Sequence, residues 1–145
     1  GDDNNNNKGE VKMTTGNFST YNKGAYQFVC FYWETSRAWG HEVHLLKHGM
    51  EFAKARVRYY NRTWEAYTFQ STMYQALDNY KKSEIAHYLN EYKLTHDLKG
   101  YDRDNYQEWE KPFPRGVKAK ALAEWEQTQV AKDIKELEEF VKEGK

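Results

Sequence analysis

The sequence predicts an α+β domain: an antiparallel β-meander of three or four strands packed by one or two helices, followed by a long C-terminal amphipathic helix. Three patterns predict it. Residues 25–60 alternate at period two, residues 69–81 repeat apolar positions at i, i+4, i+7, i+8 and i+11, and residues from 118 onward carry one apolar stripe among Ala, Glu, Lys and Gln. Side chains leave opposite faces of a strand in turn but recur about every 3.6 residues on a helix, so the two periods distinguish the two kinds of element.

Residues 1–24 are rich in Asn, Gly, Ser, Thr and Asp, and their few apolar residues show no period, which predicts a flexible tail. Composition leaves open whether GDDNNNNKGE is native or an expression remnant. The core domain is expected over 25–100. Tyr26, Phe28, Cys30 and Tyr32 alternate with Gln27, Val29, Phe31 and Trp33, and two mostly apolar rows suit a central strand covered on both faces. TSRAWG supplies a turn. HEVHLLKHGM then places Val43 and Leu45 on one face and ends in Gly49, able to take the positive φ of a tight hairpin. In EFAKARVRYYNR, Ala53, Ala55, Val57 and Tyr59 form an inward row, and Phe52, Lys54, Arg56, Arg58 and Tyr60 form the opposite one.

TWEAY, at 63–67, is a candidate fourth strand. The stripe Phe69, Met73, Ala76, Leu77 and Tyr80 predicts a helix over 69–81 lying across the sheet. Ser83 caps a second helix with Ile85, Leu89 and Tyr92 on one face, unless the two helices are one bent helix. Residues 101–117 hold both prolines and read as a loop pinned by Tyr106, Trp109 or Phe113. Over 118–145 the stripe Leu122, Trp125, Val130, Ile134, Leu137 and Val141 predicts one helix, which packs on the core or pairs with another chain as a homodimer.

A chain of 145 residues fits one core without metal or disulfides. Its single cysteine excludes an internal disulfide and a thiolate metal cage, and it fits a reducing compartment. No apolar run approaches the ~20 residues that cross a bilayer, and the first residues lack a signal-peptide pattern, so a cytoplasmic protein without membrane contact is expected. The 22 basic residues balance 22 acidic ones, so attraction to an anionic partner must be local. Residues 51–82 are the basic pole, with six Lys or Arg against three acids, whereas 83–117 carry five against seven.

Catalytic chemistry finds little support. Glu42, His44 and His48 share one face of a straight strand, but His48 sits at the hairpin corner, too far along to converge with Glu42, and no metal site is expected. Cys30 lies in the most apolar stretch, where burial makes a thiol inert. His87 and His96 form no pair, Asp102 and Asp104 lack the rest of a calcium loop, and Glu138 and Glu139 read as a hydrated helix face. With no GxSxG, HExxH or phosphate-binding glycine loop, the expectation is a non-enzyme without catalytic residues or cofactor.

The remaining candidate is a binding row of Phe52, Lys54, Arg56, Arg58, Tyr60 and Arg62. Alternate strand residues stand ~6.5–7 Å apart. That spacing suits the phosphates of a nucleic-acid strand, with aromatics to stack on bases, and equally suits a carboxylate-rich protein surface or a solvated strand face.

Two resemblances bear on these alternatives. The order of three strands and then a helix, with a basic surface, resembles the core of double-stranded RNA-binding domains, without their preceding helix or lysine run. RAWGHEV, ARVRYYNRTWEAYTFQS and the apolar helix after them resemble small bacteriophage accessory proteins, over about residues 25–80. That second resemblance implies an inhibitor in the host cytosol, binding a host defence or nucleic-acid-processing complex as an anti-CRISPR protein does. Direct nucleic-acid binding, or a phage structural protein assembling through its last helix, are the alternatives.

Overall fold

The computed structural model describes residues 18–59 and 68–143, which fall into two compact units, one of the described residues up to Asn79 with 140–143 and one of Tyr80–Glu139. The first unit is built on a four-stranded sheet. Strands β1 (Phe18–Lys23), β2 (Tyr26–Glu34), β3 (Trp39–Lys47) and β4 (Met50–Tyr59) lie in chain order, and each pairs antiparallel with the next. The period-two pattern decides which face closes the core: Tyr26, Phe28, Cys30, Val43, Leu45 and Ala55 are buried. The hairpin between β3 and β4 turns on His48 and Gly49, both at positive φ (52° and 79°), the two-residue geometry whose twist matches that of the flanking strands.

β1 corrects the expected tail over its last residues. It pairs with β2 from Phe18 opposite Phe31 to Lys23 opposite Tyr26, and its backbone bonds come from β2. An edge strand needs no apolar row, so its composition resembled that of a linker. The candidate strand TWEAY lies outside the described residues.

Helix α1 runs unbroken over Gln70–Thr95, so the two expected helices are one. No Gly or Pro falls within it, and Ser83 is an interior residue rather than a cap. Met73, Ala76, Leu77 and Tyr80 are buried, as the stripe requires, and Phe69, just before the helix, packs its ring on Tyr32 and His41. Gln70 donates from Nε2 to the Val141 carbonyl at 2.8 Å, satisfying a carbonyl at the end of the last helix that has no partner within that helix.

In the second unit a hairpin of β5 (Lys99–Asp102) and β6 (Gln107–Glu110) begins two residues before the expected loop of 101–117 and occupies its first part. Trp109 lies over Gly100, where a Cβ would come within 2.8 Å of its ring, and Asp102 closes the tip by accepting hydrogen bonds from Asp104 N and Asn105 Nδ2. Four-residue strands are too short to display a period, and the Asp102 carboxylate is engaged as a turn former.

The expected single C-terminal helix is two, α2 (Val117–Trp125) and α3 (Gln129–Lys142). Thr128 makes the break: its hydroxyl donates to the Trp125 carbonyl at 2.6 Å and accepts from Ala131 N at 3.3 Å, ending one helix and capping the next. The apolar stripe of α3, at Ala131, Ile134, Leu137 and Val141, is 1–8% exposed in the single chain. Phe140 from its last turns stacks on Phe28 of the sheet at 6.3 Å between ring centroids. No described helix is long and apolar enough to cross a membrane.

Gly40 is the tightest position in the sheet. A Cβ there would stand 1.8 Å from the Val57 carbonyl and 2.9 Å from the Trp33 ring. Gly40→Ala is therefore expected to cost more than about 3 kcal/mol, because backbone rather than a movable side chain blocks it. Urea denaturation of the variant checks this, and an unchanged midpoint contradicts it.

Candidate binding face

The second face of the sheet carries the polar and cationic rows. β2 contributes Gln27, Val29, Phe31 and Trp33, β3 contributes Glu42, His44 and Leu46, and β4 contributes Lys54, Arg56 and Arg58, all three of them exposed. Phe18 and Phe52 stand 64% and 47% exposed on the two outer strands. The register runs regularly from Trp39 opposite Tyr59 to Leu45 opposite Ala53, then steps to Leu46 opposite Glu51. Phe52 is the extra residue of that bulge. A bulge re-aims the side chains beyond it, and here it brings Glu51 onto the same face as His44.

A four-member ionic network follows from this register. His44 holds Glu42 Oε2 through Nε2 and Glu51 Oε1 through Nδ1, each at 2.6 Å, and Arg56 Nη1 donates to the other Glu42 oxygen, Oε1, at 3.2 Å. An ionised carboxylate only accepts, so two of them, one at each ring nitrogen, favour the imidazole that carries both protons. Burial lowers the His44 pKa, but the hydrogen bonds and charges of Glu42 and Glu51 outweigh that and raise it above its ordinary value. Burial pushes Glu42 up, while His44 and then Arg56 hold it below the usual carboxylate range. Phe31 stacks on the His44 ring at 5.4 Å and shields one side.

Arg56 has a second anchor. Its guanidinium lies over the Trp33 ring, 3.9 Å from the centroid. Trp33 is 4% exposed, lies against Gly40 and donates from Nε1 to the His41 carbonyl at 3.2 Å. The packing of Trp33 between Gly40 and Arg56 thus sets where the guanidinium sits, and Glu42 sets its rotation. Beside it opens a cleft of about 420 Å³ lined by Trp33, Thr35, Arg37, Ala38, Arg56 and Arg58. The Thr35 hydroxyl accepts from the backbone N–H groups of Arg37 and Ala38, a local turn that holds Arg37 at the hairpin tip.

The predicted row lies only partly within the described residues. Lys54, Arg56 and Arg58 lie on one face of β4 and are exposed, with Ala53, Ala55, Val57 and Tyr59 turned the other way; Phe52 is exposed at the bulge, outside that alternation, and Tyr60 and Arg62 lie outside the described residues. Arg56 is held within the chain by Glu42 and Trp33, though its side chain stays 43% exposed. Sequence reasoning missed Glu51 and Arg37. Period two places Glu51 on the wrong face unless the bulge is known, and Arg37 sits in a turn with no period. His48 is a turn residue, and His41, adjacent to Glu42, is fully buried among the rings of Tyr32, Trp39, Tyr59 and Phe69. The Cys30 thiol is buried and its pKa is pushed up to about 12, so it is no nucleophile. Among the described residues no three His, Cys, Asp or Glu side chains are placed to hold a metal ion.

The chain matches no family model, no curated protein and no solved structure. The site's own geometry is therefore the basis for assigning a role.

The network makes stability depend on pH in a defined direction. His44, raised in the fold, contributes fully below its ordinary value of 6.5 and loses the contribution as pH rises through its folded value. Glu42, lowered in the fold, contributes above its ordinary value of 4.5 and loses it as pH falls through its folded value. Thermal denaturation across pH is expected to show a fall on the alkaline side that His44→Gln removes. An identical alkaline profile for the two proteins contradicts the assignment.

Proposed function

We propose that this chain is a non-enzymatic interaction protein that docks the second face of its four-stranded sheet onto an anionic surface of a partner complex. The observation that carries this reading is the exposed cation row Lys54, Arg56 and Arg58 on β4, with Arg37 at the neighbouring hairpin tip. The chain as a whole is neutral, so these charges attract a partner only at close range and in one orientation. Phe18, opposite Phe31, adds apolar contact at the outer strand of the same face. Arg56 is already ordered by Trp33 and Glu42, so it loses little side-chain freedom on binding.

The resemblance to phage accessory proteins supports a host protein or nucleoprotein complex as the partner and inhibition as the outcome. On this reading no catalytic group is needed. The buried, high-pKa Cys30 and the histidines engaged in packing, turns and the ionic network fit a role that consists of occupying a surface.

The test is affinity capture from host lysate with the unaltered protein and with a Lys54→Glu, Arg58→Glu variant. The variant is expected to stay folded by circular dichroism and to lose the captured partner, with wild-type capture weakening as salt rises. Equal capture by the two proteins rules out this face as the docking surface.

A further inference from the structure

His44 stands where the ionic network meets the cation row. Glu42 lies two residues before it on β3, Lys54 lies directly opposite on β4, Glu51 reaches it from beyond the bulge, and Arg56 of β4 holds Glu42. On its other side β2 brings Val29 and the stacked ring of Phe31, and β1 brings Thr20 and Phe18, none of which titrates. Among the described residues, Glu42, Glu51, Lys54 and Arg56 are therefore the charged groups around it. With a proton on each ring nitrogen, His44 and Arg56 balance Glu42 and Glu51, and these four side chains carry no net charge.

A neutral imidazole has one N–H, so it donates to one of the two carboxylates and turns a lone pair towards the other. The two are unequal. The Glu42 side chain is 6% exposed, where water is a poor substitute for His44, whereas that of Glu51 is 44% exposed and, among the described residues, bonds to no other side chain than His44. Loss of the proton from Nδ1 therefore gives up the Glu51 contact and keeps the buried one. Backbone pairing of Leu46 with Glu51 holds the bulge in either state, so it is the Glu51 side chain that is freed. A freed carboxylate beside Lys54 repels the anionic partner that the cation row attracts. We propose that the proton on His44 Nδ1 gates the docking face: with it, Glu51 is neutralised inside the network, and without it, Glu51 turns to solvent and opposes an anionic partner. This rests on the reading of the same face as the docking surface, and it assigns the regulation of that surface. Burial works against the proton, but the hydrogen bonds of Glu42 and Glu51 outweigh it, so the gate turns above 6.5 and binding weakens as pH rises through it.

Two measurements on the full chain test it. Nuclear magnetic resonance follows the His44 ring nitrogens and the Glu51 side-chain carboxyl carbon across pH. Both are expected to respond at one midpoint above 6.5, with Nδ1 as the nitrogen that loses its proton, and Glu51→Gln is expected to lower that midpoint. Binding of polyglutamate, whose carboxylates stay ionised well above ~4.3, is then measured through the same range at one salt concentration. Wild-type affinity is expected to fall by about two- to tenfold across the midpoint. The step is expected to move to lower pH in Glu51→Gln, whose altered side chain is half-exposed and leaves the sheet intact, and to vanish in His44→Gln. A Glu51 carboxyl that does not respond when His44 titrates, or proton loss from Nε2, overturns the proposal. So does polyglutamate binding that is absent or unchanged across the midpoint, or a step that stays in place in both variants and so belongs to another group. In each of these outcomes, capture of the lysate partner that is still lost in the Lys54→Glu, Arg58→Glu variant leaves the docking face standing. If capture is unaffected as well, both readings fail.

Discussion

The polar face of the sheet is organised by one buried negative charge. Glu42 is 4% exposed, in the middle of a β-sheet face, and a carboxylate removed from water is tolerated only when partners replace its hydration. Here each of its oxygens has one: His44 on Oε2 and Arg56 on Oε1. Each partner is constrained in turn. His44 turns its other nitrogen towards a second carboxylate, which the bulge supplies as Glu51. Arg56 is turned inward far enough to sit over the Trp33 ring, and Trp33 fits only because Gly40 has no side chain.

This chain of constraints divides the face into an ordered centre and an adaptable rim. Glu42, His44, Trp33 and one edge of Arg56 belong to the centre, where low exposure strengthens each electrostatic contact. Lys54, Arg58, Arg37 and Phe18 belong to the rim, exposed enough to meet another molecule without dismantling the network. The combination suits recognition. Fixed groups define the orientation of a partner, and longer, solvated ones adjust to it.

The net charge of zero is informative in this setting. With 22 charges of each sign, no long-range field gathers anions around the molecule, so selectivity must come from how the charges are arranged. The arrangement is uneven. The cleft beside Arg56 is lined by Arg37, Arg56 and Arg58, while at the hairpin of the second unit Lys93 of α1 pairs with Glu110 at 2.8 Å and Lys99 donates to the neutral Asn90 side chain.

The sequence alone determined the strands β2 to β4, the inward row from Ala53 to Tyr59 and the apolar stripes of α1 and α3, because each has a period that survives over many residues and one side that must leave water. It also put Lys54, Arg56 and Arg58 on one face of one strand. Tertiary structure decided what has no period. Backbone pairing recruited Phe18–Lys23 as an edge strand, a ring over Gly100 helped make a hairpin of an apparent loop, and one hydroxyl, that of Thr128, cut the last helix in two. The site shows the same division. A strand pattern assigns residues to faces but not to neighbours across strands, so the bulge that delivers Glu51 to His44, the Trp33 beneath Arg56 and the turn that carries Arg37 to the cleft arise only when β2, β3 and β4 lie side by side, where pairing register sets which charges touch.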